Sequence, residues 1–303
     1  MNPQPDLSVI ILTFNTKSLT LACLHTLPPD PPIEIIVVDN ASTDGTVDAL
    51  HQSFPLVNVI VNATNYGFGR GNNIGMAASH GRYLLVLNSD TEVQPGSLAA
   101  LITYMDAHPE VGACGPMLIN TNGSLQPSGR PLPTVSSVFM DMTKLHRIFR
   151  PDVFTQRGRN YSSPTYVGEI SGAALMIRRE AYNKAGGFDE HFFAYYEDVD
   201  LCNRIARARF KIAYVPQARV MHHWRATSRN VSELSYRAGQ ESLRYYFRKH
   251  HGPVSELLIK TMLIAKELVL LAISTIRLDA DALHLHRRML VNLFSPLTGS
   301  KVA

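Results

Sequence analysis

The feature that most constrains this chain is a strand pattern repeated four times in its first third, with a polar cluster behind each repeat. Ser8 to Phe14 (SVIILTF), Ile33 to Val38 (IEIIVV), Val57 to Val61 (VNVIV) and Tyr83 to Leu87 (YLLVL) are short and mostly apolar. Continuous runs of that kind suit strands covered on both faces. Between them the pattern predicts helices over Lys17–Thr26, from a Ser42 or Thr43 cap to Ser53, and over Asn72–Ser79. A further helix is expected from Gly96 to His108, stopped by Pro109, and a fifth strand from Val111 to Met117. This alternation points to an α/β fold with a mostly parallel central sheet flanked by helices.

In such sheets ligands gather beyond the carboxyl ends of the strands. Those ends carry Asn15, then Asp39 and Asn40, then Asn65 to Gly71, then Asn88, Ser89 and Asp90. Each alone also suits an ordinary turn; four along one edge point to a site. The segment Asn120 to Thr165 is dense in Pro, Gly and Ser and reads as a loop over the site or an insertion. Strand character resumes over Val167–Ile177, and Ala206–Val215 passes from helix into strand. Glu233–Arg248 and Val254–Phe294 have a helical pattern.

Composition narrows the classes. With 303 residues, 45% apolar and 18% charged, the chain can bury a large core, which excludes wholesale disorder. Lys plus Arg less Asp plus Glu is 29 − 25, or +4, too mild to argue for nucleic acid. Cys23, Cys114 and Cys202 are few and scattered, which suits a reducing compartment and neither a disulfide framework nor a zinc ribbon. No export signal is expected in Met1 to Asp6, and the apolar stretch Leu268 to Ile276 is too short to span a bilayer. A cytoplasmic location follows as the expectation.

Four groupings could carry chemistry. In Gly186 to Arg204, the acids Glu197, Asp198 and Asp200 open an expected helix behind Phe192, Phe193, Tyr195 and Tyr196. They can be capping acids, or a carboxylate against an aromatic wall that stacks a sugar, with one acid as general base. In Asn88 to Glu92, Asp90 at a strand end suits a hard divalent cation holding a diphosphate. In Val220 to Trp224, alternation lets only one of His222 and His223 face that crevice. In Asn65 to Asn73, glycines before an expected helix start offer free amides as an anion cradle, with Arg70 adding charge. This is not a dinucleotide fingerprint, because the first strand is followed by Asn15-Thr16-Lys17 without glycine.

At these residues the chain resembles inverting glycosyltransferases of the GT-A fold, family 2, and within them the bacterial rhamnosyltransferase-like branch. The resemblance is carried in order by Ser8 to Asn15, Val38 to Gly45, Asn65 to Gly69, Leu87 to Asp90 and Phe188 to Asp200. It implies a GT-A catalytic domain over residues 1–230, with a nucleotide-sugar half (1–117), an acceptor half (118–230) and a helical C-terminal extension (231–303). It implies that Thr13 and Asn15 line the nucleotide pocket and that Asp39 binds base or ribose. Asn65, Arg70, Asn88 and Ser89 would sit near nucleotide and diphosphate, and Asp90 with His222 (or His223) would hold Mg2+ or Mn2+. Asp198, or else Glu197, would deprotonate the acceptor hydroxyl, with Gly172, Ala173 and Tyr196 beside sugar and acceptor. The family's metal motif usually has two acids one residue apart, and Asn88 replaces the first, as the rhamnosyl branch often does.

The implied donor is dTDP-rhamnose or another dTDP- or UDP-sugar, and the implied acceptor a glycan or polyprenyl-diphosphate-linked glycan of the cell envelope. Galactofuranose, glucose or N-acetylglucosamine as the sugar, or a silent nucleotide-sugar-binding protein, are the alternatives. Arg248, Lys249, His250 and His251 precede an apolar helix and Arg287-Arg288 follows. That helix either packs on the catalytic domain or lies at the inner membrane face near lipid-linked acceptors.

Overall fold

A computed structural model of the chain describes residues 5–28, 33–145, 162–223, 233–295 and 297. The turn residues 29–32, part of the Pro-rich middle (146–161) and Trp224 lie outside them. The first elements are β1 (Leu7–Thr13), α1 (Lys17–His25), β2 (Ile33–Asp39), α2 (Thr46–Ser53), β3 (Asn58–Val61), α3 (Gly67–Ala77), β4 (Tyr83–Asn88) and β5 (Thr91–Val93). Next come α4 (Ser97–Ala107), β6 (Val111–Ile119), β7 (Leu125–Gln126), β8 (Gly129–Arg130), α5 (Val135–Met142), β9 (Thr165–Val167), β10 (Glu169–Ile170) and β11 (Ala174–Arg178). Then follow α6 (Arg179–Ala185), α7 (Glu197–Arg207), β12 (Lys211–His222), α8 (Glu233–Ile276) and α9 (Ala280–Phe294). The chain divides into two compact units: Met1–Leu132 with Thr155–Glu190 and Asp198–Arg229, and Pro133–Phe154 with His191–Glu197 and Asn230–Ala303.

The first unit holds a sheet in the order β3-β2-β1-β4-β11-β6-β12-β5. β3, β2, β1 and β4 are parallel throughout, as the sequence pattern predicts. Beyond β4 the sheet is mixed: β11 runs antiparallel to both β4 and β6, β12 is parallel to β6, and β5 is antiparallel to β12. Residues of β1 alternate between two cores. Leu7, Val9 and Ile11 enter one with Leu98 and Leu101 of α4, while Ile10 enters the other with Met76 of α3 and Leu201 of α7. Burial on both faces is why this strand reads as an unbroken apolar run.

Two helix starts differ from the sequence expectation. α2 begins after Gly45, whose φ of 77° places it in the left-handed region, so neither Ser42 nor Thr43 caps it. Both are used by the preceding loop: the Asn15 amide donates to Ser42 Oγ at 2.9 Å, and the Thr43 amide donates to Asn15 Oδ1 at 2.8 Å. α3 begins at Gly67 and not at Asn72, so the glycines lie inside the helix and not in a loop before it. Gly71 and Gly75 serve close packing on the sheet. A Cβ at Gly75 would meet Ile10 Cγ2 at 2.5 Å and Val38 Cγ2 at 3.0 Å, and one at Gly71 would meet the Leu12 side chain. Gly75→Val should therefore cost about 1–3 kcal/mol through overpacking. The cost would appear as a lower denaturant midpoint at constant slope.

Arg178 and Arg179, at the β11–α6 junction, tie off the ends of two helices. Arg178 donates to the carbonyls of Met105 (2.6 Å) and His108 (3.0 Å) at the end of α4. Arg179 donates to that of Ser79 (3.0 Å) just past α3. These are carbonyls that a helix end leaves without intrahelical donors.

The second unit contains α5, α8 and α9. Gly252 (φ 85°), non-helical and followed by Pro253, separates α8 into two helical arms, as the sequence pattern predicts. The expected single helix from Val254 to Phe294 is instead broken at Asp279, whose side chain accepts from the Ala282 amide at 3.0 Å and caps α9. Polar residues lie between these helices. Glu267, fully buried, accepts from Tyr236 (2.6 Å) and Gln240 (2.8 Å) and meets His286 Nδ1 at 2.7 Å, while Arg244 pairs with Glu256 at 2.8 Å.

Candidate functional site

The polar ends of β1, β2 and β4 lie along one edge of the first unit because parallel pairing aligns them: Thr13 is in register with Asp39, and Leu12 with Asn88. Asp39 is buried; its Oδ2 accepts from the Ser42 amide at 2.8 Å. Its Oδ1 is buried with no hydrogen-bond partner among the described residues. An acceptor left so is costly unless a ligand N–H or O–H supplies the missing bond. Asn15 (φ 53°) is exposed and is fixed through its hydrogen bonds to Ser42 and Thr43. Thr13 is turned inward: its hydroxyl lies 2.9 Å from that of Thr16 and 2.8 Å from that of Thr20. It shapes the floor of this edge through those hydroxyls. Ser89 joins the same cluster through Thr16, at 3.0 Å.

Asn65 Oδ1 accepts from the Gly67 amide (2.9 Å) and from Asn40 Nδ2 (3.1 Å), and Asn40 Oδ1 accepts from Asn62 (2.8 Å). This asparagine ladder ties β2 to the start of α3. Arg70 stacks on the Tyr66 ring at 4.1 Å and lies 3.8 Å from Glu190. Gly67 and Gly69 fall in the first turn of α3, where backbone amides have no intrahelical partner; the Gly67 amide is taken by Asn65.

A metal-suited pair stands at the other end of the same edge. β5, too short to be seen in the sequence pattern, pairs antiparallel with the end of β12 and matches Thr91 with His222. The pairing sets His222 Nε2 3.2 Å from Asp90 Oδ1, both residues being buried. His223 points elsewhere, with Nε2 2.7 Å from Glu92 Oε1. Sequence reasoning missed Gln126. Its Nε2 donates to Asn120 Oδ1 at 2.9 Å, which turns its Oε1 toward His222 Nδ1 at 2.6 Å. Nδ1 therefore donates to Gln126, and Nε2 faces Asp90, with Asn88 Nδ2 at 3.4 Å. An imidazole whose far nitrogen donates to a fixed carbonyl is the usual arrangement of a metal-ligating histidine. The Asp90–His222 spacing also matches two neighbouring ligands of one octahedral ion, ~3 Å apart for bonds of ~2.1 Å. Among the described residues no group of three or more His, Cys, Asp and Glu side chains could hold an ion. The donor set fits a cation that shares its remaining positions with substrate oxygens and water.

The third part is built around the turn Ser171–Ala173. Asp198, half-buried in the first turn of α7, accepts from the Gly172 amide through Oδ2 and from the Val199 amide through Oδ1, both at 2.8 Å. The next residue of the turn, Ala173, accepts from the Asn88 amide at 3.0 Å. Asp198 and the metal-suited end of β4 are thus held by adjacent residues of one turn. A Cβ at Gly172 would meet Phe68 Cζ at 3.2 Å and Asp198 Cβ at 3.5 Å. Burial pushes the Asp198 carboxyl above the usual aspartate range, and the two amides oppose that rise. Asp200, by contrast, is structural: it pairs with Arg204 at 2.7 Å. Glu197 and Tyr196 belong to the second unit, where Glu197 is buried and the Tyr196 ring lies 5.7 Å from that of Tyr246.

A second acid escaped the sequence reading. Glu169 is matched in register with Arg130 across β10 and β8, with 3.8 Å between their charged groups. Burial raises its pKa to about 8; the Arg130 charge opposes the rise and the Asp198 charge adds to it. The folded state then holds this proton where the unfolded state, near 4.5, has lost it. Stability should fall as pH rises through that window, and Glu169→Gln should flatten the slope in denaturant midpoints.

The family model for glycosyl transferase family 2 matches residues 8–186, and one described as the N-terminal domain of galactosyltransferase matches residues 153–226. The chain is 33% identical over 246 residues to the N-acetylglucosaminyl-diphospho-decaprenol L-rhamnosyltransferase of Mycobacterium tuberculosis, covering 75% of this chain and 78% of that protein. It is 27% identical over 194 residues to rhamnosyltransferase WbbL of Escherichia coli, covering 61% and 71%. Among solved structures, a mannosyltransferase from Pyrobaculum calidifontis with GDP-Man and Mn2+ aligns over 96% of this chain and 86% of its own, with a TM-score of 0.56 at 16% identity. GalNAc-T7 with UDP, GalNAc and Mn2+ aligns over 85% of this chain and 54% of its own, also at 0.56, with 19% identity. The mixed sheet with flanking helices is the GT-A fold, and the chain belongs to glycosyl transferase family 2: it is a glycosyltransferase.

Proposed function

We propose that this enzyme moves L-rhamnose, with inversion, from a nucleoside-diphosphate donor such as dTDP-rhamnose to a polyprenyl-diphosphate-linked glycan at the cytoplasmic face of the membrane, in cell-envelope polysaccharide synthesis. The observation that carries the reading is the shared turn: Gly172 binds Asp198, and Ala173 binds Asn88 beside the Asp90–His222 pair. The sugar identity and the lipid-linked acceptor rest on the names of the two rhamnosyltransferase relatives.

In this reading Asp39 Oδ1 accepts from the base or ribose, and Asn15 and Asn65 border the nucleotide. Asp90 and His222 would hold Mg2+ or Mn2+, with Asn88 beside them. When bound, the ion supplies Lewis-acid neutralisation of the departing diphosphate. Asp198 takes the proton of the acceptor hydroxyl as that oxygen bonds to the anomeric carbon and the bond to the diphosphate breaks. One displacement inverts the configuration. The Gly172 and Val199 amides keep the carboxylate oriented while it is ionised.

A thermal-shift screen of nucleoside-diphosphate sugars, with and without Mn2+, tests the donor. The expected result is the largest stabilisation by dTDP-rhamnose, and only with the ion present. Stabilisation by a UDP-hexose alone would replace rhamnose, and no response to any donor would remove the transferase site from this edge.

A further inference from the structure

The second arm of α8, residues 253–276, is built inside out. Its acids Glu256 and Glu267 are 8% and 0% exposed and are spent on Arg244, Tyr236, Gln240 and His286. Lys260 lies over the Phe294 ring and Lys266 reaches Tyr236 Oη at 3.0 Å. The outward positions carry no charge at all. Val254, Leu257, Leu258, Leu268, Val269 and Ile276 are each at least 48% exposed. At the helical period they share one stripe, with the exposed Thr261 and Ala265 between Leu258 and Leu268, about 33 Å long at 1.5 Å per residue.

Basic residues flank this stripe. Arg248 and Lys249 are exposed before the bend, and Arg277, Arg287 and Arg288 beyond the far end. Against these five stand the exposed Asp279 and Asp281, and Glu233, which pairs with Arg288 at 2.8 Å, leaving an excess of two positive charges. A second copy of the chain is a poor occupant. Basic residues at both ends meet basic residues whether two stripes pair parallel or antiparallel. An anionic lipid surface satisfies the apolar stripe and the basic flanks together. The arm cannot cross a bilayer, since its opposite face carries the buried Glu256 and Glu267 and is already packed, and among the described residues no helix is long and apolar enough to span one.

We propose that the outward face of α8 docks in the headgroup region of an anionic bilayer, lying in its plane. The proposal gives the lipid-linked acceptor reading its point of attachment, but its test needs neither donor nor acceptor. The intact protein is sedimented with vesicles of phosphatidylcholine and phosphatidylglycerol in equal parts, and with phosphatidylcholine alone. Binding to the mixed vesicles should exceed that to the neutral ones by roughly tenfold and weaken in high salt. Leu257→Glu with Leu268→Glu should lower it at least ~10-fold, with the thermal midpoint held because both positions are exposed. Arg248→Gln with Lys249→Gln reads the electrostatic part independently and should lower binding to the mixed vesicles alone. Absence of vesicle binding, or binding that survives both double substitutions, overturns the proposal. So does a lipid-free dimer in light scattering that the glutamate pair disrupts. Donor hydrolysis by the same preparation reports separately on the transferase reading.

Discussion

Asp198→Asn is expected to lower turnover by ~10²–10⁴-fold, the usual worth of a positioned general base. The substitution keeps one oxygen to accept from the Gly172 or Val199 amide, so the turn and the fold should survive. Nucleotide affinity, measured by calorimetry, should change little. A drop in affinity as large as the drop in rate would make Asp198 a binding residue. Wild-type pH dependence offers a second measurement. A base acts ionised, and burial raises the pKa of this one. The acid limb of the kcat/KM profile should therefore lie above the range of an exposed aspartate, and Asp198→Asn should abolish it. Equal turnover in wild type and variant would move the proton transfer elsewhere, with Glu197 next to be substituted.

Asp90→Ala should remove the charged member of the Asp90–His222 pair and with it the ion-dependent share of donor binding. Substituting a residue that only supports a metal ligand costs ~10–100-fold in metal affinity; losing the carboxylate itself should cost at least that much. The measurement is donor calorimetry with and without Mn2+. Wild type should gain affinity with the ion, and the variant should bind equally weakly in both. An unchanged metal response would show that Asp90 holds no ion. Removing its partner gives a matched control: His222→Ala should reproduce the loss, while His223→Ala, which severs only the contact with Glu92, should not.

The parallel half of the sheet and its polar edge were legible because the relevant information is local. A strand buried on both faces must be apolar throughout, as Val9, Ile10 and Ile11 are, and the turn after it must be polar and conformationally tolerant, as Asn15 and Asp39–Asn40 are. The start of α3 was misplaced for a physical reason. Glycine both loosens a loop and lets a helix approach a sheet, and only the contacts of Gly71 and Gly75 with Leu12, Ile10 and Val38 distinguish the two. Gln126 and Glu169 could not be found at all. Each sits in a two-residue strand whose significance comes from its pairing partner. The sole sequence signal for Glu169, an acid beside the apolar Ile170, is common in surface strands.

What the chain determined by itself was its alternation of strand and helix, the strand-end positions of Asn15, Asp39, Asn65 and Asp90, and the acids that open α7. These follow from periodicity and turn chemistry, which act over a few residues. The tertiary structure decided which of the adjacent histidines meets Asp90, since antiparallel register with β5 selects one face of β12. It likewise decided that Asp198 and Asn88 share a turn, and that the acids of the second arm of α8 face inward while Leu257, Leu258 and Leu268 face out. Those outcomes depend on pairing and packing between segments scores of residues apart, for which no short stretch of sequence carries the geometry.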